Sequence, residues 1–413
     1  MNKLNIGIVG GSIAGCSAAI LLGRAGHNVQ VFERSRGGLV GRGGGIGTPG
    51  PVFEGLIAQD VIDADFPHLS ATAMPFIIRT PDQERAGYSP WQIPINLKAF
   101  HWSTLWNNLR KRVPDAAYHR GYEVACATPN GAESVTLQFK DGSSADFDLV
   151  IFADGYQSLG RQLVAPEHGL DYRGYMLWRG LLPEAAMHDS ATLGSNVPRV
   201  SYPHLQGNLA IYFVPGPDGQ MAQEERIFNW AAYIPIPEAD LPAFMVDRDG
   251  VAHNGSIPPG KVRLDEENRL KALMCENLPT YYGEIISKTQ NTYVQLIYTA
   301  RIPAYHQGRI CVIGDAGMVA QPFTGSGVFK GYNNVKDLLQ ALNDFDTVEE
   351  ALQVWGKEQV RIGNRLLALG EQMEQAFIWD SLDLATADAE STAAWWKAAV
   401  TFPEEFSYEV EEK

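Results

Sequence analysis

The sequence predicts an α/β protein: a parallel, nucleotide-binding core into which an antiparallel sheet is inserted, with helices at the C-terminal end. Three observations predict it. Residues 6–15 read IGIVGGSIAG, an apolar strand that runs through a glycine turn into a helix. Two further apolar strands end in short acidic-glycine signatures, LVIFADGYQSLGR at 149–161 and RICVIGDAGMVAQPFTGSG at 309–327. Between these two lies a succession of β-type segments over 172–300. Strand–turn–helix units build parallel sheets, whereas strands following one another directly build antiparallel ones.

The composition frames this reading. A chain of 413 residues, 45% hydrophobic and 20% charged, is ordinary for a globular enzyme and fits one large domain or two intimate ones. A net charge of -15 argues against the basic face that nucleic-acid binding needs. No run of 18 apolar residues occurs, so no transmembrane helix and no integral membrane association are expected. The N-terminal apolar stretch continues directly into a helical pattern and reads as folded structure, not as a removed signal. Cys16, Cys126, Cys275 and Cys311 form no CxxC pair, so neither a zinc site nor a redox dithiol is expected, and a reducing, cytoplasmic location is.

The first unit is a β-α-β motif. Residues 4–9 form a buried strand, residues 13–25 a helix with Ala14, Ala18, Leu21, Leu22 and Ala25 at helical spacing, and residues 28–32 the next strand. Gly10 permits the tight turn and Gly15 lets the helix lie close to the strand. Ser12 stands at the usual middle glycine, where its hydroxyl can bond a phosphate. Ser12, Ile13 and Ala14 open the helix, whose free N–H groups suit a pyrophosphate. Glu33 follows about 20 residues on, where an acid binds ribose hydroxyls, with Arg34 beside it. Residues 36–50, RGGLVGRGGGIGTPG, read either as a flexible loop or as backbone crossing close to a cofactor, with Arg42 near it.

The second unit is a hairpin in which residues 134–140 pair with a strand over 145–152 through Asp141-Gly142. That strand ends at Ala153-Asp154-Gly155, and Ser158 and Arg161 follow. The plain alternative is an Asp-Gly turn with a helix cap. In the third unit, the strand at 309–313 ends at Gly314-Asp315-Ala316. Pro322, Gly325 and Gly327 then lead into a helix over 328–342 that opens at Val328. Here the alternative is a glycine-rich turn of no special role.

Taken in this order and at these separations, the three segments resemble the single-component FAD-dependent aromatic hydroxylases of the para-hydroxybenzoate hydroxylase type. Trp102, where many members carry an arginine, the GGSIAG turn and YMLWRG at 175–180 are most similar to the 2,6-dihydroxypyridine 3-hydroxylase branch. Met318 departs from the histidine common in relatives.

The resemblance implies a Rossmann-like FAD-binding domain over 1–170, with a substrate-side segment near 70–100, and its second part over 301–345. It implies an antiparallel substrate domain over 171–300, and C-terminal helices with an acidic tail over 346–413. In the family the counterpart of Asp154 contacts FAD, that of Asp315 bonds the ribityl chain, and the PxxGxG stretch of Pro322, Gly325 and Gly327 passes the flavin ring. NADH or NADPH would reduce FAD. Oxygen would then give a C4a-hydroperoxide that hydroxylates an electron-rich aromatic or N-heterocyclic ring. The implied partners are that small aromatic substrate and O2, with no metal, in a monomer or homodimer.

Tyr202, Tyr212, Phe213, Trp230 and Tyr233 give the middle of the chain an aromatic density suited to a flat substrate, although most such rings fill cores. Tyr202, His204, Tyr212, Trp230, Gln321 and Pro322 are the candidate substrate contacts. His204, Tyr202 and His101 are the candidates for binding or deprotonating a ring hydroxyl. A terminal helix is expected over 380–401, anchored by Trp395 and Trp396, with an acidic tail over 404–413. Three alternatives remain. A flavin-dependent halogenase shares the FAD segments, and Trp230-Ala231-Ala232-Tyr233-Ile234-Pro235 partly matches its WxWxIP motif, with Ala232 at the second tryptophan. An NAD dehydrogenase would leave the second and third segments without a role. A non-catalytic FAD-binding protein would show no substrate-stimulated NAD(P)H oxidation.

Overall fold

The computed structural model describes residues 3–39, 43–131 and 133–401, so Arg42 and the acidic tail at 404–413 lie outside the described residues. Among them a six-stranded sheet runs, in spatial order, His306–Gln307, Ile310–Val312, Leu149–Phe152, Asn5–Val9, Asn28–Glu33 and Tyr118–Arg120. Asn5–Val9 lies at its centre, parallel to both neighbours, with Ile8 opposite Ile151 and Val31. Ile6, Ile8, Val31 and all of Leu149–Phe152 are sealed from solvent, which is why these strands read as unbroken apolar runs rather than alternating ones. The three signature turns therefore leave the same edge of one sheet, where a nucleotide is bound in open α/β folds.

One expectation is corrected. Residues 145–152 are not a single strand. Ser144–Phe147 pairs with Ser134–Phe139 in a separate three-stranded sheet, and Leu149–Phe152 enters the parallel sheet. Asp148 makes the break: its N–H donates to the Asn5 carbonyl at 2.8 Å and its carboxylate accepts the Asn5 N–H at 2.7 Å. The stretch Ala145-Asp146-Phe147-Asp148-Leu149 alternates apolar and charged residues as one strand would, so the pattern alone hides the break.

A nine-stranded sheet takes strands from both sides of the parallel core, in the order Ser256–Ile257, Tyr293–Thr299, Asp171–Pro183, Ile227–Pro235, Asn208–Val214, Arg199–Ser201, Leu69–Thr80, Gln83–His101 and Gly45–Pro49. Both of its faces are covered. Trp178, Phe228, Trp230 and Leu209 form a core with Leu270, Met274, Tyr281 and Tyr282 from the helices Leu264–Asn277 and Thr280–Lys288. Tyr175, Leu177, Ala231 and Tyr233, one residue out of phase, pack with Phe323, Met373 and Phe377. Side chains alternate across a strand, so these two sets look in opposite directions.

The helix Val348–Glu374 runs on through a short π-helical turn at Gln375–Trp379. The terminal helix spans Ala389–Val400, shorter than the expected 380–401, because Asp388 and Ser391 form a capping box that starts it late. Trp395 and Trp396 pack against Phe76 and Phe377, tying this helix to the sheet. No helix among the described residues is long and apolar enough to cross a membrane.

Candidate active site

The first turn is held rigid from several sides. The Gly11 carbonyl accepts from Trp106 Nε1–H at 2.9 Å and from the Tyr118 hydroxyl at 2.8 Å. The Gly11 N–H donates to Glu33 at 2.9 Å, and the same buried carboxylate accepts the Ser35 N–H at 2.8 Å. Gly10 sits at φ +101°, and a side-chain carbon there would meet the Ala153 carbonyl at 2.4 Å. At Gly15 it would meet the Gly10 carbonyl at 1.8 Å. Ser12 precedes the helix Ile13–Arg24 but makes no cap bond with its side chain, so its hydroxyl and the first-turn N–H groups stay available to an anion.

The second and third turns are joined by a buried cation. Arg161 Nη1 donates to the carbonyls of Asp315 at 3.0 Å and Ala316 at 3.3 Å, and Nη2 donates to the Tyr156 carbonyl. The Asp154 carboxylate accepts from the Ser158 hydroxyl at 2.5 Å and the Leu159 N–H at 2.7 Å, so it caps the helix Leu159–Val164. Burial raises its pKa, and the hydrogen bonds from Ser158 and Leu159 oppose that rise. Asp315 pairs with Lys330 at 2.5 Å, and the buried Lys330 ammonium also donates 2.5 Å to the Met318 carbonyl. A side-chain carbon at Gly155, Gly325 or Gly327 would meet nothing within 4 Å, and Pro322 is exposed.

Opposite this loop stands the Tyr233 face of the nine-stranded sheet. Tyr233 stacks on Phe323 with centroids 4.7 Å apart. Arg179 donates to Gln295 and to the Gly45 carbonyl, each at 3.1 Å, and Asn229 accepts the Gly45 N–H at 2.7 Å. A side-chain carbon at Gly45 would meet Asn229 at 2.6 Å. The glycine-rich stretch is thus packed backbone at the sheet edge, not a free loop, at least over 43–49. Tyr212 lies on the same face, and its phenol is pushed up to about 12 by burial, with Arg179 pulling the other way. It stays protonated at neutral pH and can donate a hydrogen bond.

Comparison with known proteins decides the family. A family model described as FAD binding domain-like matches residues 172–299. The chain is 33% identical over 351 residues to 3-amino-4-hydroxybenzoate 2-monooxygenase of Streptomyces cremeus, covering 82% of this chain and 79% of that one. The chain belongs to the FAD-dependent aromatic monooxygenases. It is also 27% identical over 372 residues to 2,6-dihydroxypyridine 3-monooxygenase of Paenarthrobacter nicotinovorans, with 88% of each chain covered. In fold it is similar to the structure of 2,6-dihydroxypyridine-3-hydroxylase from Arthrobacter nicotinovorans, with a TM-score of 0.85 at 22% identity over 99% of each chain.

The monooxygenase's own residues fit FAD. Gly10 and Gly15 leave no room for side chains, the helix start at Ser12 has no competing cap, and Gly155, Gly325 and Gly327 border open space. Gly10, Ser12, Ile13, Ala14, Gly15 and Glu33 belong to the first turn and the elements it joins, and Asp315, Pro322, Gly325, Gly327 and Val328 to the third. Arg34 is exposed just beyond Glu33.

Several sequence-predicted substrate residues are not brought to this face. Trp230 is fully buried on the opposite side of the sheet, where Nε1–H donates to Thr289 at 2.9 Å and the ring meets Trp178 edge-on. Tyr202 belongs to that same far core, and with the exposed His204 it lines an open groove of about 760 Å³ bounded by Met176, Phe244 and Met274. That groove is not beside the cofactor turns. His101 caps the helix Trp102–Arg110, accepting the Ser103 N–H, and burial together with nearby Arg179 lowers its pKa. Gln321 is buried and donates to Glu374 at 3.0 Å instead of lining open space. Of the predicted substrate contacts, Tyr212 and Pro322 stand on the cofactor side.

The structure brings Arg179, Asn229 and Lys330, which the sequence reading did not single out, to the glycine-rich strand and the third turn. Strand parity was the available signal: Trp230 and Tyr233 are three apart on one strand and cannot share a face.

Proposed function

We propose that this monooxygenase hydroxylates a flat, electron-rich aromatic or N-heterocyclic ring held against the Tyr212 and Arg179 part of the nine-stranded sheet, beside the Pro322–Thr324 turn. FAD, reduced by NADH or NADPH, supplies oxygen activation when bound. Ser12, Ile13, Ala14 and Gly15 would hold its pyrophosphate, with Glu33 and Arg34 at the adenosine end. Asp315 would hold the ribityl chain, and Pro322, Gly325, Gly327 and Val328 would lie along the ring. The helix Phe329–Asp344 starts beside that position, so its dipole favours negative charge there.

The chain's residues orient and shield the substrate. Tyr212, kept protonated, donates to a ring oxygen. The stacked Tyr233 and Phe323 rings close one side, and Arg179 fixes the glycine strand that closes the site. The observation that supports this reading is that Tyr212, Tyr233 and Arg179 share one face of the sheet, and Tyr233 on that face stacks on Phe323 of the PFTGSG loop. The halogenase alternative rested on the Trp230 motif, and that ring lies in the far core. Cys16, Cys126, Cys275 and Cys311 are free thiols, which supports a cytoplasmic setting. Light scattering distinguishes monomer from homodimer.

The test is NADH and NADPH oxidation by the FAD-loaded protein across hydroxylated pyridines, phenols and hydroxybenzoates, with product mass measured. Stimulated oxidation with a product one oxygen heavier is expected. Firmly bound FAD without stimulation by any compound would favour the non-catalytic reading.

A further inference from the structure

The open groove on the far side of the nine-stranded sheet has a floor and a rim of different chemistry. Met176 and Ile234 are opposite each other on neighbouring strands. With Tyr202, Phe244 and Met274 they make a buried, mostly apolar floor. Tyr175 and Tyr233, one residue before each, look the other way and pack with Phe323. The groove and the cofactor side therefore lie on opposite faces of the same two strands. Its volume of about 760 Å³ is that of a small-molecule site.

One polar atom of that floor is unsatisfied. The Tyr202 hydroxyl is buried and makes no hydrogen bond among the described residues. Tyr118 and Tyr175 are also buried but find acceptors, the Gly11 carbonyl at 2.8 Å and Glu374 at 3.2 Å. Tyr172 donates to the carbonyl of Ile236, a lining residue of this same groove, at 2.8 Å. A hydroxyl taken from water without a partner is costly. Burial also pushes the Tyr202 phenol well above its usual pKa, so the group stays protonated and keeps a proton to donate. The deficit closes if a ligand in the groove brings an acceptor.

The arginines of the rim are already occupied. Arg263 donates to the Ala243 carbonyl at 2.8 Å and to Glu266 at 3.2 Å, and Arg269 donates to Glu266 at 2.8 Å. His204 and Asp240 are exposed to water. A charged ligand would leave water for Met176, Ile234, Phe244 and Met274 and meet no counter-charge on the floor. A neutral ring avoids that cost. Methionine side chains adapt to its outline and their sulfurs sit favourably against it, and Phe244 adds an aromatic surface.

We propose that this groove is a second ligand site, which takes a neutral, flat ring compound carrying a carbonyl or hydroxyl oxygen that accepts from Tyr202. The site is separate from the cofactor turns, so its ligand binds alongside FAD and the ring to be hydroxylated, not in their place.

The test uses the FAD-loaded protein with coumarin, α-tetralone and β-naphthol as neutral probes and β-naphthoate as the charged counterpart. Calorimetry reads all binding, whereas the flavin absorbance reads what reaches the cofactor side. At least one neutral probe is expected to show a binding event that leaves the flavin spectrum unchanged, and β-naphthoate to show that event at least about tenfold more weakly. Tyr202→Phe should weaken the event by about tenfold or more. Its thermal midpoint should be kept or raised, because the substitution removes an unpartnered buried hydroxyl. Leu273→Trp narrows the groove with Tyr202 left in place, and should weaken the event as well. No flavin-silent binding by any neutral probe, equal binding of β-naphthoate, or an affinity unchanged in either variant would each overturn the proposal. The hydroxylase reading is judged separately, by whether any compound of its own panel yields an oxygenated product.

Discussion

Arg161 donates to the Asp315 carbonyl at 3.0 Å across a separation of 154 residues, so the two acidic-glycine turns are one physical unit. The guanidinium is almost wholly buried and spans Tyr156, Asp315 and Ala316. Arg161→Met should cost about 2–4 kcal/mol, because buried carbonyls lose charge-assisted partners. Arg161→Lys should recover little, since one ammonium cannot reproduce a planar fork. Urea unfolding of the FAD-free protein measures both. Full recovery by lysine would show that charge alone, without the fork, joins the turns.

Lys330 and Asp315 form the second coupling, at 2.5 Å. Asp315 is the residue proposed to hold the ribityl chain, and Lys330 positions its carboxylate. Asp315→Ala and Lys330→Met should each weaken FAD about tenfold or more, and the double variant should lose less than the sum. Quenching of flavin fluorescence gives the dissociation constants. Strictly additive losses would mean that the two residues do not act together on the cofactor.

Glu374 collects Arg173, the Tyr175 hydroxyl at 3.2 Å and Gln321 at 3.0 Å while almost fully buried. Arg173→Met leaves its carboxylate with neutral donors alone and should cost about 3 kcal/mol. Glu374→Gln should cost less, because the remaining amide still accepts. Gln321 adjoins Pro322, so both variants should also slow turnover. Chemical denaturation and steady-state rates measure the two effects, and equal stability losses would show that the charge itself contributes nothing.

Asp63 gives a pH dependence with a definite sign. A hydrogen bond from Lys111 foremost, then others from Arg112 and Asn108, hold its carboxyl down at about 2. Its folded pKa lies below the unfolded one, so its contribution is complete above about 4 and is lost as pH falls toward about 2. Urea unfolding of wild type from about pH 5 to about pH 2.5 should show a steeper acid limb than Asp63→Asn over the same window. Identical limbs would assign acid sensitivity to other carboxylates.

The cofactor half of the site was legible because its chemistry is local. Gly10, Gly15 and the Pro322–Gly327 stretch follow from what a turn and a close helix require within a few residues. The substrate half was only partly legible. Tyr212 was singled out together with Trp230, Tyr202 and His204, and the structure puts Tyr212 on the cofactor side of the sheet, Trp230 and Tyr202 in the far core and His204 on the open groove. Both faces of the nine-stranded sheet are buried under other elements, so apolar and aromatic residues occur on each, and no polar alternation marks which is which.

What the sequence determined by itself is the set of strand–turn–helix units, and with them the cofactor class, because hydrophobic runs and glycine sterics act over short stretches of chain. What only the tertiary structure decided is which residues share the space above the cofactor. Register decides it, since a shift of one residue turns every side chain of a strand to the other face. It also decides which charges are paired: Arg173 finds Glu374 about 200 residues away, while among the described residues Arg199 on the same sheet enters no ion pair. That difference depends on the meeting of distant strands and helices, and no local pattern in the chain encodes it.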